Sequence, residues 1–400
     1  MKKNILILLM MTVFVPSSCT FRPKFGHTPT ERLVGAMTIE EKKSLLSVRD
    51  GHTASLERMQ IPSVSIREIT HVPEQDLLLR SWNKDLAYQA GLVAGSQVVP
   101  EEMSCVCCPV LQTEDENCSA VMTAALARGI RECGHNVVVF SDTAYDGNVI
   151  TSVQPMAVIV NDSIPRTDYF DGPVFVTGNV SDSLSEDVLD SCVTKVIAFL
   201  EQSIGTKAVA ADVTVPDRDT YHRNLLEESM VLLKNDGTVP FGNGNMRIAL
   251  YGKASYGLFD KAVQNAGFKL EPSVVSYYGK RNDAVRRPYQ YRADAIASNY
   301  AVAVFDHELD NADMTLVSDV CTAFHDKSRK VVVILATDGP VDTECWAGYP
   351  DAIIYASRPD RDVAEVTAAI LRGTLLPSGR LVQPWSSYPF GFGLGYTPEF

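Results

Sequence analysis

Lys330-Val-Val-Val-Ile-Leu335 holds five apolar residues in six, four of them β-branched. Such a run has no polar side. It predicts a strand covered on both faces, as in the middle of a parallel sheet. The neighbouring sequence fits that reading. Arg247–Tyr251, Tyr300–Phe305 and Ala352–Ala356 read as further strands, and Gly252–Gly257 as a turn. Leu258–Ala266, Thr315–His325 and Val363–Leu371 read as helices between them, the last stopped by Gly373. The alternation predicts an open parallel sheet with helices on both faces and a ligand crevice at the carboxyl ends of the strands.

The first half alternates less regularly. Thr38-Ile-Glu-Glu41 is a capping box that opens a helix to about Ser47. Residues 81–95, Ala120–Cys133 and Leu189–Gln202 have helical spacing, while Cys105–Leu111, Val137–Phe140, Met156–Val160 and Pro173–Val176 read as short strands. The 400 residues carry a formal charge of −13, and 46% are hydrophobic. That composition is globular, and an acidic surface argues against nucleic acid as a partner. Gly242-Asn-Gly precedes a strand and Gly391-Phe-Gly-Leu-Gly395 has no helix after it, so neither reads as a phosphate loop.

Met1-Lys-Lys-Asn4, the apolar run Ile5–Val15 and Pro16-Ser-Ser-Cys19 predict a lipoprotein-type signal over 1–19, with Cys19 as the lipidated residue. The expected location is the cell envelope (the outer membrane or the periplasmic face), with the lipid as the sole membrane contact. Residues 20–30 read as a tether. Cys105-Val-Cys107-Cys108 lacks the spacing of a metal site and reads as small buried side chains on a strand. No metal or other cofactor is implied.

Glu228-Ser-Met-Val-Leu-Leu-Lys-Asn-Asp-Gly-Thr-Val-Pro240 closely resembles the segment that joins the barrel to the second domain in glycoside hydrolase family 3, β-glucosidase type. Further blocks come in that family's order: Arg247–Gly257, Ala323–Lys327, Lys330–Trp346, Pro350–Ile354, Pro377–Leu381 and Tyr388–Thr397. Arg32–Lys43, Ile61–Glu68, Trp82–Ala90 and Phe170-Asp-Gly172 resemble parts of its barrel. The resemblance implies an α/β chain. A truncated or rearranged (β/α) barrel over 31–215 and a linker over 216–240 would precede a parallel α/β sandwich domain over 241–400. The barrel segment has about 185 residues, against the ~250 typical of a (β/α)8 barrel, so it is expected to be partial.

Retaining glycosidases use two carboxyl groups about 5–5.5 Å apart, one as nucleophile and one as acid/base. The resemblance places the nucleophile a few residues beyond Phe170-Asp-Gly172, where Thr177 or Gly178 stands. A threonine hydroxyl is a poor nucleophile without a base. The family's sugar-holding Lys-His pair falls on Phe140 and Ser141. Its substrate-loop Asp and His fall on Glu68 and His71, the implied substrate-binding residues. Glu308 is the candidate acid/base, with Asp306 second. Asp342 and Glu344 read as a structural turn, and Trp82, Trp346 and Trp385 as core. Two readings are open. One is a homologue that has lost the retaining nucleophile and binds a β-linked glycan or acts as a scaffold. The other is an active β-glucosidase-type hydrolase pairing Asp142, Asp146 or Asp171 with Glu308.

Overall fold

The computed structural model describes residues 23–69, 71–99, 104–141, 147–161, 170–205, 213–242, 244–252, 257–272 and 288–394. Cys19, Asp142 and Asp146 lie outside them. The first sheet has seven strands in sequence order: β1 (Val48–Arg49), β2 (His52–Thr53), β3 (Ser65–Glu68), β4 (Ser104–Cys108), β5 (Asn136–Ser141), β6 (Val158–Val160) and β7 (Val174–Val176). Strands β3 to β7 are parallel, while β2 runs antiparallel to both β1 and β3. Ser47 bridges to Val176 in parallel, and the Val176 N–H donates to Leu46 O at 2.8 Å. The sheet therefore nearly closes on itself. The β1–β2 hairpin lets so short a segment close, adding two strands without a helical crossover. Its turn is Asp50-Gly51, both with positive φ (49° and 72°), the conformation of a tight two-residue hairpin.

Alternation along the strands divides the core. Cys105, Cys107 and Val138 enter one buried cluster with Ile159 and Phe175. Val106, Cys108, Val137 and Val139 enter the other, under the surrounding helices. Burial pushes the thiols of Cys105 and Cys107 up to about 12, so they are inert side chains of the core. Helices Lys84–Ser96 and Glu116–Glu132 cross over the barrel at Gly91 and Gly129. The helical segment expected over 81–95 begins earlier and is broken. Gln75–Ser81 is a separate short helix, ended by Trp82 in the left-handed region at φ 49°.

The second sheet has the order β10-β9-β11-β12-β13-β8, with β8 (Val231–Asn235), β9 (Arg247–Tyr251), β10 (Lys269–Leu270), β11 (Tyr300–Phe305), β12 (Lys330–Ala336) and β13 (Ala352–Ala356). All pairings are parallel except β8 on β13, so the sheet expected to be parallel has one antiparallel edge. On β12, Val332, Ile334 and Ala336 face one core, and Val331, Val333 and Leu335 the other. This two-sided burial is what the β-branched run requires.

Two expected boundaries shift. Residues 216–240 are no free linker, for they hold the helix Arg218–Ser229 and strand β8. Residues 23–30, read as part of a tether, turn back on the barrel. The Phe25 N–H donates to Met59 O at 2.8 Å, and helix Thr30–Gly35 begins there. The cluster that covers the barrel's outer face continues without a break into the second sheet, from Leu78 through Leu226 to Ile334, so the two domains share a core.

Asp351, 7% exposed at the start of β13, ties that sheet's rim together. It accepts from Lys330 Nζ at 2.7 Å, His325 Nε2 at 2.8 Å and the Val331 N–H at 2.8 Å. Burial alone would raise its carboxyl pKa, but Lys330, the Val331 amide and His325 together hold it below the ordinary value. A depressed carboxyl pKa adds stability above the unfolded value of about 3.9 and loses it as pH falls through the lower folded value. Asp351→Asn is expected to cost roughly 2 kcal/mol at pH 7, shrinking steadily below about pH 4, in urea unfolding followed against pH.

Candidate functional site

The carboxyl rim of the barrel is built by the residues that leave its strands. Strand β7 delivers Thr177 and Gly178, β6 delivers Asn161, β3 ends in Glu68, and the hairpin turn presents Arg49 and Asp50. Thr177, Gly178, Glu68, Arg49, Asp50 and Phe140 line one cavity of about 620 Å³ at this rim. A groove of about 670 Å³ lies beside it, lined by Lys43, His52 and Asp182 and sharing Arg49, Gly178 and Asn179.

The Thr177 hydroxyl donates to Asn161, reaching the backbone O at 3.3 Å and Oδ1 at 3.2 Å. Neither of these oxygens accepts a proton at neutral pH, so Asn161 does not activate the hydroxyl as a base. Arg49 reaches Asn179 Oδ1 at 3.4 Å, and no carboxylate lies in ion-pair range of it among the described residues. The cavity thus combines a guanidinium, two carboxylates, an amide and a hydroxyl with the half-buried ring of Phe140. The Lys-His positions hold a half-buried Phe140 and a buried Ser141.

The other candidates lie apart from this rim. Asp171 precedes β7 while Thr177 comes after it, so it sits on the opposite end of the barrel, where it pairs with Lys195 at 2.8 Å. Lys195 holds its carboxyl below the ordinary pKa. Asp142 and Asp146 fall outside the described residues. Glu308 is exposed beyond β11 and lines neither the barrel cavity nor its groove. Asp306 is engaged with His307, whose Nδ1 lies 2.8 Å from it and whose Nε2 lies 2.8 Å from Asp313. These two carboxylates, Asp306 first, raise the His307 pKa.

His71 belongs to a third cavity, of about 500 Å³, between helix Gln75–Ser81 and the carboxyl ends of β12 and β13. Glu68 and His71 are therefore not brought together. Asp342 accepts from the Glu344 N–H and the Ser386 hydroxyl, the turn expected of it. Trp346 and Trp385 are core, and Trp82 is half-buried against Phe390 at 5.5 Å. The sequence reading missed Arg49 and Asp50, although Asp50-Gly51 is a turn dipeptide visible in the chain.

Known proteins match the two domains unequally. Residues 230–396 match the glycosyl hydrolase family 3 C-terminal domain. Thermostable beta-glucosidase B of Acetivibrio thermocellus is 24% identical over 253 residues, covering 55% of this chain but 32% of that protein. The chain thus matches about a third of that relative's length. Among solved structures, beta-glucosidase 3B from Thermotoga neapolitana, in complex with glucose, superposes with a TM-score of 0.61 at 15% identity over 90% of this chain and 76% of its own. The GH3 beta-glucosidase of Bifidobacterium adolescentis gives 0.58 at 17% identity over 91% and 78%. At these identities the likeness is one of fold, and it extends across both domains.

Proposed function

We propose that this chain, whose residues 230–396 match the glycosyl hydrolase family 3 C-terminal domain, is an exported carbohydrate-binding relative of the β-glycosidases in which the retaining mechanism has lapsed. The supporting observation is the residue pair just beyond β7. Thr177 and Gly178 stand there, and the hydroxyl is spent on Asn161. The barrel cavity still offers hydrogen-bonding groups of both kinds, with Asp50 and Glu68 accepting and Arg49 donating. That set suits the hydroxyls of a β-linked oligosaccharide, and the adjoining groove gives room for further sugar units. The signal over 1–19 and lipidation of Cys19 would hold it at the cell envelope.

A hydrogen bond to a charged group contributes roughly 1.5–3 kcal/mol. Glu68→Gln is accordingly expected to weaken binding of a β-glucan tetrasaccharide by about tenfold or more, measured by calorimetry. An unchanged affinity would remove the barrel cavity from the proposal. A second reading, that of an active hydrolase with displaced carboxylates, draws on Asp50 and Glu68, which line one cavity. It requires hydrolysis of aryl β-glucosides that Asp50→Asn, Glu68→Gln or Glu308→Gln abolishes.

A further inference from the structure

Two buried polar atoms without a hydrogen-bond partner belong to side chains that line the cavity between the domains. They are Nε of Arg80 and Oε2 of Glu74. More than nine buried polar groups in ten are normally partnered, so two exceptions at one concave site call for a specific explanation.

Arg80 is 3% exposed. Its guanidinium stands 4.4 Å over the Tyr355 ring, and Nη1 donates to Ala356 O at 3.3 Å. No carboxylate lies in ion-pair range of it among the described residues. The facing walls carry Asp76, Asp338, His71 and Ser357. Two of the nearby acids are already engaged, Asp338 by Arg358 and Glu74 Oε1 by His222 Nδ1 at 2.6 Å. Asp338 and Ser357 leave the carboxyl ends of β12 and β13, where open α/β sheets bind ligands.

We propose that this interdomain cavity is a second carbohydrate site, separate from the barrel rim, for a neutral polyhydroxylated ligand of monosaccharide size. The lining selects that class. An anion drawn to Arg80 would meet Glu74, Asp76 and Asp338, and a cation drawn to those acids would meet Arg80. A sugar hydroxyl both donates and accepts, so it serves carboxylates and guanidinium alike. The volume of about 500 Å³ suits a small ligand, and Val72 and Leu77 supply apolar floor. A molecule held there touches both domains and so favours their docked arrangement.

The site does not depend on the barrel reading, and full-length protein distinguishes the two. D-glucose is titrated by calorimetry into the wild type and into Asp76→Asn, Arg80→Met and Glu68→Gln variants, and is soaked into crystals. The expected result is a saturable glucose component weakened at least fivefold by Asp76→Asn and tenfold by Arg80→Met, with density touching Arg80 and Asp76. Glu68→Gln moves only the component that belongs to the barrel. D-glucuronate, the same ring with a carboxylate, binds at least fivefold more weakly than glucose. Asp76 is exposed, so its variant decides the matter should Arg80→Met fail to fold. Glucose binding untouched by Asp76→Asn overturns the proposal, as does tighter binding of glucuronate. Interdomain binding without any barrel component would leave this site standing and defeat the barrel reading alone.

Discussion

Release of 4-nitrophenol from its β-D-glucoside by the purified chain is expected to run at least ~10⁴-fold below the rate of a retaining enzyme that keeps its aspartate, the scale on which removing a nucleophile acts. An aspartate just beyond β7 would present an ionised oxygen to the anomeric carbon. Thr177 instead presents a hydroxyl whose proton points to the backbone O and amide of Asn161. Among the described residues no histidine or lysine lines the cavity to take that proton. Thr177→Ala is therefore expected to change any residual rate less than twofold. A turnover within tenfold of an intact enzyme would contradict the proposal.

Gly129→Ala is expected to lower stability by about 3 kcal/mol, seen as a fall in the urea midpoint with an unchanged slope. Gly91 and Gly129 let two barrel helices touch backbone to backbone. A Cβ on Gly129 would stand 2.3 Å from Tyr88 O and 2.7 Å from Leu92 N. Neither atom belongs to a flexible side chain, so the helices must separate, and overpacking of this kind costs about 1–3 kcal/mol or somewhat more. A shift under 0.5 kcal/mol would show that the helices slide freely.

The second domain was legible because strands buried on both faces leave a plain mark. Lys330–Leu335 could hardly be placed at a surface, and β9, β11 and β13 match their expected bounds. The barrel was harder to read. Its strands run two to six residues, too short for a period to emerge. The antiparallel hairpin that nearly closes it stands where parallel units were expected. Its Asp50-Gly51 turn was in view, but the hairpin's role depends on Ser47 meeting Val176, a contact between residues far apart in the chain.

The candidate site divides in the same way. Thr177 and Gly178 were found because Phe170-Asp-Gly172 fixes their distance from a resemblance. Arg49 and Asp50 were missed because they come from the hairpin. Arg80 stands in Leu77-Leu-Leu-Arg-Ser81. A lone charge in an apolar run was a local signal, yet its burial against Tyr355 arises only from the docking of the second sheet.

The most direct test uses an activated 2-deoxy-2-fluoro-β-glucoside, which leaves a long-lived glycosyl ester on any carboxylate acting as nucleophile. After prolonged incubation with saturating reagent, intact-mass spectrometry is expected to show the unmodified chain alone. A gain of one fluoroglycosyl group, mapped by peptide analysis to Asp50, Glu68 or another acid, would contradict the central claim and identify the residue that does the chemistry.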